Sequence, residues 1–211
     1  MKKVIVTMAL LTALLGWGAV ELFELSPTPF ANSVIAEKPV NGRVGGQIAQ
    51  VVPANLTTKQ HQLLDMAYQV GKENGLKDPE IVQAVLLQET RAGGMDTYKV
   101  ANPGPNAYFG PMQIKLSAAR DVLARWPEMF TRYNFHTKTD DEVKANLILN
   151  ERFNIEVATR YLVILKREYG LSGRELMNAY NRGPGGVKAV DADYHYAVGA
   201  ERKLATYKQR R

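Results

Sequence analysis

One acid in this chain stands where its type and spacing could do chemistry. Glu89 follows Val85 by four residues and Leu86 by three. On a helix it therefore shares the apolar stripe of Ile81, Val82, Val85 and Leu86 rather than the wet face. The helix is expected to open with Asp78 at the N-cap and Pro79 at the first helical position. It runs out at Arg91-Ala92-Gly93-Gly94, which puts Glu89 in the last turn, beside an opening. The helix dipole is negative at that end. Desolvation and the dipole both favour the protonated carboxyl, which suits a general acid at neutral pH. On Glu89 alone, a side chain that snorkels to solvent from a helix end accounts for the pattern equally well.

Two further stretches carry polar groups toward such a site. Asn106-Ala107-Tyr108-Phe109-Gly110-Pro111-Met112-Gln113-Ile114 mixes aromatic, glycine and amide residues without helical period. It reads as a turn or short hairpin that brings a polar side chain into an apolar pocket. Far downstream, Asn178-Ala179-Tyr180-Asn181-Arg182-Gly183 ends another helix with a tyrosine and amides. Taken in order, Glu89-Thr90, Phe109 to Ile114 and Ala179 to Gly183 resemble the lytic transglycosylases of the soluble-transglycosylase type, relatives of goose-type lysozyme. The resemblance runs from Leu63 to Tyr207, most of the chain. In that family a glutamate followed by a small hydroxyl residue heads the site. A Gly-x-Met-Gln segment lines the cleft, and Ala-Tyr-Asn-x-Gly closes it. Two positions depart from the pattern: Thr90 stands where serine is usual, and Pro111 interrupts the usual Gly-Leu-Met-Gln.

The resemblance implies a peptidoglycan lytic transglycosylase without a cofactor, in which Glu89 is the catalytic residue. The glutamate protonates the leaving oxygen of the MurNAc–GlcNAc bond. It then acts as base on the primary hydroxyl of the same muramic acid, closing an anhydro ring, while the substrate's acetamido group supports the intermediate. Gln113 and Met112 carry over as cleft residues, Tyr180 and Asn181 as groups near the acid or the glycan. Thr90 is grouped with this glycan-binding set, but reads better as holding the helix end or the acid than as touching sugar. Tyr180 also reads as an ordinary core aromatic whose hydroxyl finds a backbone partner. Tyr108 and Phe109 suit stacking on sugar rings and suit pinning the loop to the core. Most glycosidases use a second carboxylate. Between Glu89 and Gln113 the only other acid is Asp96, which a solvated loop explains without any function. A hydrolytic muramidase using Asp96 to hold a water, and a wall-binding protein that has lost catalysis, are the competing readings.

Composition limits the other classes. His61, His136 and His195 are isolated and the chain has no cysteine, so no metal site is expected. Gly183-Pro184-Gly185-Gly186 lacks the ending of a phosphate-cradling loop. With 27 Lys and Arg against 21 Asp and Glu, the net charge is +6. No recognition-helix or aromatic–basic pattern accompanies it, so nucleic acid is not the expected partner. An anionic wall polymer would also retain a basic exported protein.

The elements that must position these residues follow a leader. Lys2-Lys3 and the apolar run Val4 to Val20 read as an export signal, with residues 1–25 serving as a cleaved signal peptide or a retained anchor. Residues 26–56, rich in Pro and Gly, read as a tether. The expected location is periplasmic, or tethered to the cytoplasmic membrane. Wall remodelling, a secretion or conjugation apparatus and phage-borne lysis would all use such a chain. Residues 57–211 then form the catalytic domain, expected to be all-α, with α+β character only through a short hairpin, and lysozyme-like by resemblance. Thr57 or Thr58 caps a first helix with Leu63, Leu64, Ala67, Tyr68 and Val70 inward. Ser117 caps a helix ending at Trp126-Pro127, and Thr139 to Glu142 is a capping box. Asn150 opens a long helix to Gly170 with Ile155, Ala158, Tyr161, Leu162 and Leu165 on one face. Ser172 to Glu175 is a second capping box, and a last helix spans Tyr194 to Lys208.

Overall fold

The computed structural model describes residues 55–95, 107–187 and 194–211. The expected leader, nearly all of the tether, and Asp96 lie outside the described residues. Among the described residues there are eight α-helices and one two-stranded hairpin, so the expected all-α class with a short hairpin is what these residues form. None of these helices is long and apolar enough to cross a membrane.

The order is α1 (Thr58–Glu73), α2 (Glu80–Thr90), β1 (Tyr108–Phe109), β2 (Ile114–Lys115), α3 (Leu116–Arg125), α4 (Glu128–Arg132), α5 (Asp140–Leu149), α6 (Glu151–Tyr169), α7 (Gly173–Arg182) and α8 (His195–Gln209). The core is built around α6. Every residue from Phe153 to Leu165 is buried, so this helix is enclosed on all sides rather than along one stripe. α1, α3, α5 and α7 pack on it, while α2 lies between α1 and α8. Asn150 opens α6 by accepting from the Phe153 amide at 3.0 Å, and Gly170 closes it at φ 67.

Several helix starts differ from the sequence expectation. Thr57 caps α1 as expected, through a capping box with Gln60: the Gln60 amide donates to the Thr57 hydroxyl at 3.3 Å, and the Thr57 amide to Gln60 Oε1 at 2.9 Å. Tyr68 is half-buried rather than inward, with the Lys72 ammonium over its ring. On α2 the cap position falls to Pro79, and no side chain caps the helix. Asp78 contributes only its carbonyl, to the Ile81 amide. Ser117 lies inside α3, whose cap is Lys115, because β2 runs directly into that helix. Ser172 makes no capping bond.

The Thr139–Glu142 box is only half built. Thr139 Oγ1 accepts from the Glu142 amide at 3.4 Å. The Glu142 carboxylate turns away to the amides of His136, Thr137 and Lys138 at 2.7, 2.8 and 2.7 Å. Those bonds, the one from His136 first, hold the carboxyl down to about 2, well under the usual glutamate range. A depressed folded-state value stabilises the fold above the unfolded value of roughly 4.3, and that contribution fades as pH falls toward 2. Glu142→Gln is therefore expected to lower the melting temperature at pH 7 and to converge with the parent protein near pH 2, read by circular dichroism melts across that range.

β1 and β2 pair antiparallel, Tyr108 with Lys115 and Phe109 with Ile114. Gly110 leaves β1 at φ 68, and a Cβ there would lie 2.2 Å from the Leu147 carbonyl oxygen and 2.3 Å from Asn154 Nδ2. Both the left-handed backbone and the close approach require glycine. Gly110→Ala is expected to cost at least about 2 kcal/mol, measured by denaturant unfolding.

Candidate active site

The site forms where α2 leaves the core. Ile81 through Leu87 are all buried, whereas Gln88 and Glu89 are half-buried. Glu89 thus stands at the rim of the apolar packing, not within the buried stripe expected from its spacing. Two consecutive left-handed residues end the helix, Arg91 at φ 54 and Ala92 at φ 57. The Ala92 amide returns to the Leu86 carbonyl at 3.2 Å and the Arg91 amide to Leu87 at 3.1 Å. This left-handed closure satisfies carbonyls that a helix end otherwise leaves open. Gln60 on α1 holds the turn from outside, its Nε2 donating to the Arg91 carbonyl at 2.7 Å.

Thr90 is 1 % exposed. Its hydroxyl donates to the Pro111 carbonyl at 2.8 Å and accepts from the Gly93 amide at 2.9 Å. Thr90, expected to hold the helix end or the acid rather than touch sugar, lies beneath the surface and ties the acid-bearing helix to the hairpin turn. Met112 is likewise fully buried, so its side chain belongs to the core and not to a cleft wall. Its backbone does the positioning: its amide donates to Asn154 Oδ1 at 2.8 Å, and its carbonyl accepts from the Tyr180 hydroxyl at 2.7 Å. Asn154 also donates to the carbonyls of Phe109 and Leu147 at 2.9 and 3.1 Å. One buried amide therefore clamps both sides of the hairpin turn. Within that clamp Gln113 adopts φ 50, an uncommon backbone for a residue with a Cβ. Its side-chain amide donates to the Gly110 carbonyl at 2.9 Å, and it remains half-buried at the surface.

From the far side, Tyr180 is buried on α7, edge-on to Tyr161 with ring centres 5.9 Å apart. Its hydroxyl is bonded to the Met112 carbonyl while the group feels the Glu89 charge, which unites the core-aromatic and site readings. Asn181 is half-buried one residue on, in the last turn of α7.

One direct partner of Glu89 is a residue that sequence reasoning missed. Tyr196, on α8, donates its hydroxyl to Glu89 Oε1 at 2.7 Å. Asn178 sets that tyrosine in place, accepting from the neighbouring Ala197 amide at 3.2 Å and so capping α8 from another helix. Three phenols feel the acid: Tyr196, Tyr180 and Tyr108 are each pushed up, first by burial and then by the Glu89 charge. They stay neutral donors throughout the physiological range. The signal for Tyr196 was a single stripe on α8, with Tyr196, Ala200, Lys203 and Tyr207 at helical spacing. Among the described residues no three His, Cys, Asp or Glu side chains group as a metal ion would need.

A hydrogen bond donated to the ionised form of a carboxylate favours that form. Tyr196→Phe is expected to raise the titration midpoint of Glu89 by about one pH unit, followed by carboxyl carbon NMR of glutamate-labelled protein. An unmoved midpoint would show that the bond is not formed in solution.

Set against family models, curated proteins and solved structures, the chain matches none of them.

Proposed function

We propose that this chain is a peptidoglycan lytic transglycosylase with a lysozyme-like catalytic domain, and that Glu89 is its acid and base in turn. The observation that carries this reading is the half-buried Glu89 carboxylate at the end of α2, bonded to the Tyr196 phenol. The glutamine-bearing turn is tied to that same helix end through Thr90, and the end of α7 is tied to the turn through Tyr180. The ordered motifs of the sequence support the same assignment.

In the first step, protonated Glu89 gives its proton to the oxygen linking MurNAc to GlcNAc. The C1–O bond breaks, and the acetamido oxygen of the muramic residue closes on C1. The Tyr196 hydroxyl then bonds an ionised carboxylate, an interaction stronger than its bond to the neutral acid. In the second step, Glu89 takes the proton of the muramic C6 hydroxyl, whose oxygen attacks C1 and releases the acetamido group. The product is an anhydro-muramic end, and Glu89 is protonated again. No water enters as nucleophile and no second carboxylate is required. Gln113 and Asn181 supply half-exposed amides to the sugar, while Thr90, Met112 and Tyr180 hold the framework. The enzyme acts on the wall outside the cytoplasmic membrane, delivered there by the apolar leader.

Mass spectrometry of peptidoglycan digested by the protein tests the reading. Anhydro-muropeptides are expected. Glu89→Gln should cut their release roughly a hundredfold or more while leaving the fold intact. Reducing-end products would make the protein a hydrolase, and absence of release with glycan binding retained would make it a binding protein.

A further inference from the structure

A buried cation beside the acid has no part in the steps above. Lys203 on α8 is 9 % exposed, and its Nζ lies 3.5 Å from the carbonyl oxygen of Gln88, the residue before Glu89. Tyr196 and Lys203 are seven residues apart, two helical turns or ~10.5 Å along the axis, so both face α2. Between them, α8 rides closely on that helix: a Cβ added at Gly199 would lie 3.1 Å from the Gln88 side chain. The left-handed turn at Arg91 and Ala92 occupies the Leu86 and Leu87 carbonyls. The Gln88 carbonyl, at the negative end of the helix, is met by the lysine.

We propose that Lys203 is a positioning residue for Glu89: its ammonium, held against the last turn of α2, offsets the helix dipole and makes Glu89 a readier proton donor. The proposal rests on the reading of Glu89 as the acid–base group. Among the described residues, the groups that feel the Glu89 charge include Tyr108 from β1, Tyr180 from α7, and Tyr196 and Lys203 from α8. Those that face Lys203 are Arg91 and Glu89, both at the end of α2. Burial and then Arg91 push the lysine down, and Glu89 draws it back up. The coupling is mutual: each charge favours the other.

Titration of the full-length protein decides this without any glycan cleavage. The Glu89 carboxyl resonance is assigned by its loss in Glu89→Gln. In Lys203→Met its midpoint should rise by ~0.5 pH units or more, and in Lys203→Arg it should return close to the parent value. The alkaline limb of the activity profile should move upward with it, because the acid form then persists to higher pH. A role confined to packing would lower the melting temperature and leave the midpoint where it was. The reciprocal measurement leaves Lys203 in place: in Glu89→Gln the Lys203 amine should titrate lower than in the parent protein. An unchanged Glu89 midpoint in folded Lys203→Met overturns the proposal. So does an unchanged Lys203 midpoint in Glu89→Gln, should the methionine variant fail to fold. Linked midpoints in a protein that releases no anhydro product would instead retire the transglycosylase reading and leave the coupling in place.

Discussion

The structure depends on how one helix end is closed. An α-helix finishes with open carbonyls and a negative pole, a poor place for a carboxylate unless other groups answer both. Here the left-handed pair Arg91-Ala92 takes up two carbonyls, Lys203 meets a third, and Gln60 fixes the turn beyond. Thr90 then joins the helix end to Pro111. Only with that end fixed can Glu89 sit half out of the core at a defined distance from Tyr196. Each of these bonds is made by a different element, so the acid is located by α1, the hairpin turn and α8 together.

Buried amides serve the same purpose one layer out. A buried polar group left unpaired costs about 1–3 kcal/mol, so a satisfied one selects a single arrangement. Asn154 bonds three backbone groups of two segments, which fixes the hairpin turn against α6. Asn178 does so between α7 and α8. Elsewhere, Glu156 on α6 is 2 % exposed and receives Arg132 at 2.6 Å, Arg160 at 2.8 Å and the Tyr133 hydroxyl at 2.5 Å. Arg160 also lies over the Trp126 ring, 4.9 Å from its centre. Replacing such a cluster with apolar side chains is often neutral for stability; what it secures here is the seat of the short helix α4 on the central one.

Much of the fold was legible along the chain because it is written in local terms. The spacing of Ile155, Ala158, Tyr161, Leu162 and Leu165 announces α6, with Asn150 and Gly170 marking its ends. Thr57 announces α1 for the same reason, since a cap acts within three residues. Ser117 and Ser172 misled because a cap residue is only an offer of a bond. At Lys115 a strand already set the helix entry, and at Ser172 the side chain bonds no helical amide. Helix α4 escaped notice because five residues are too few to show a period.

The site divides along the same line. The sequence by itself determined that Glu89 ends a helix, that Phe109 to Ile114 makes a hairpin, and that Tyr180 and Asn181 end a later helix. Periodicity, turn chemistry and motif order act through neighbours in the chain. The tertiary structure alone decided that Thr90 and Met112 lie beneath the surface, that Tyr180 bonds the Met112 carbonyl, and that Tyr196 holds the acid. These outcomes depend on partners separated by 21, 68 and 107 residues. No local rule ranks such partners, because their meeting is set by how α7 and α8 pack back onto α2 in the folded core.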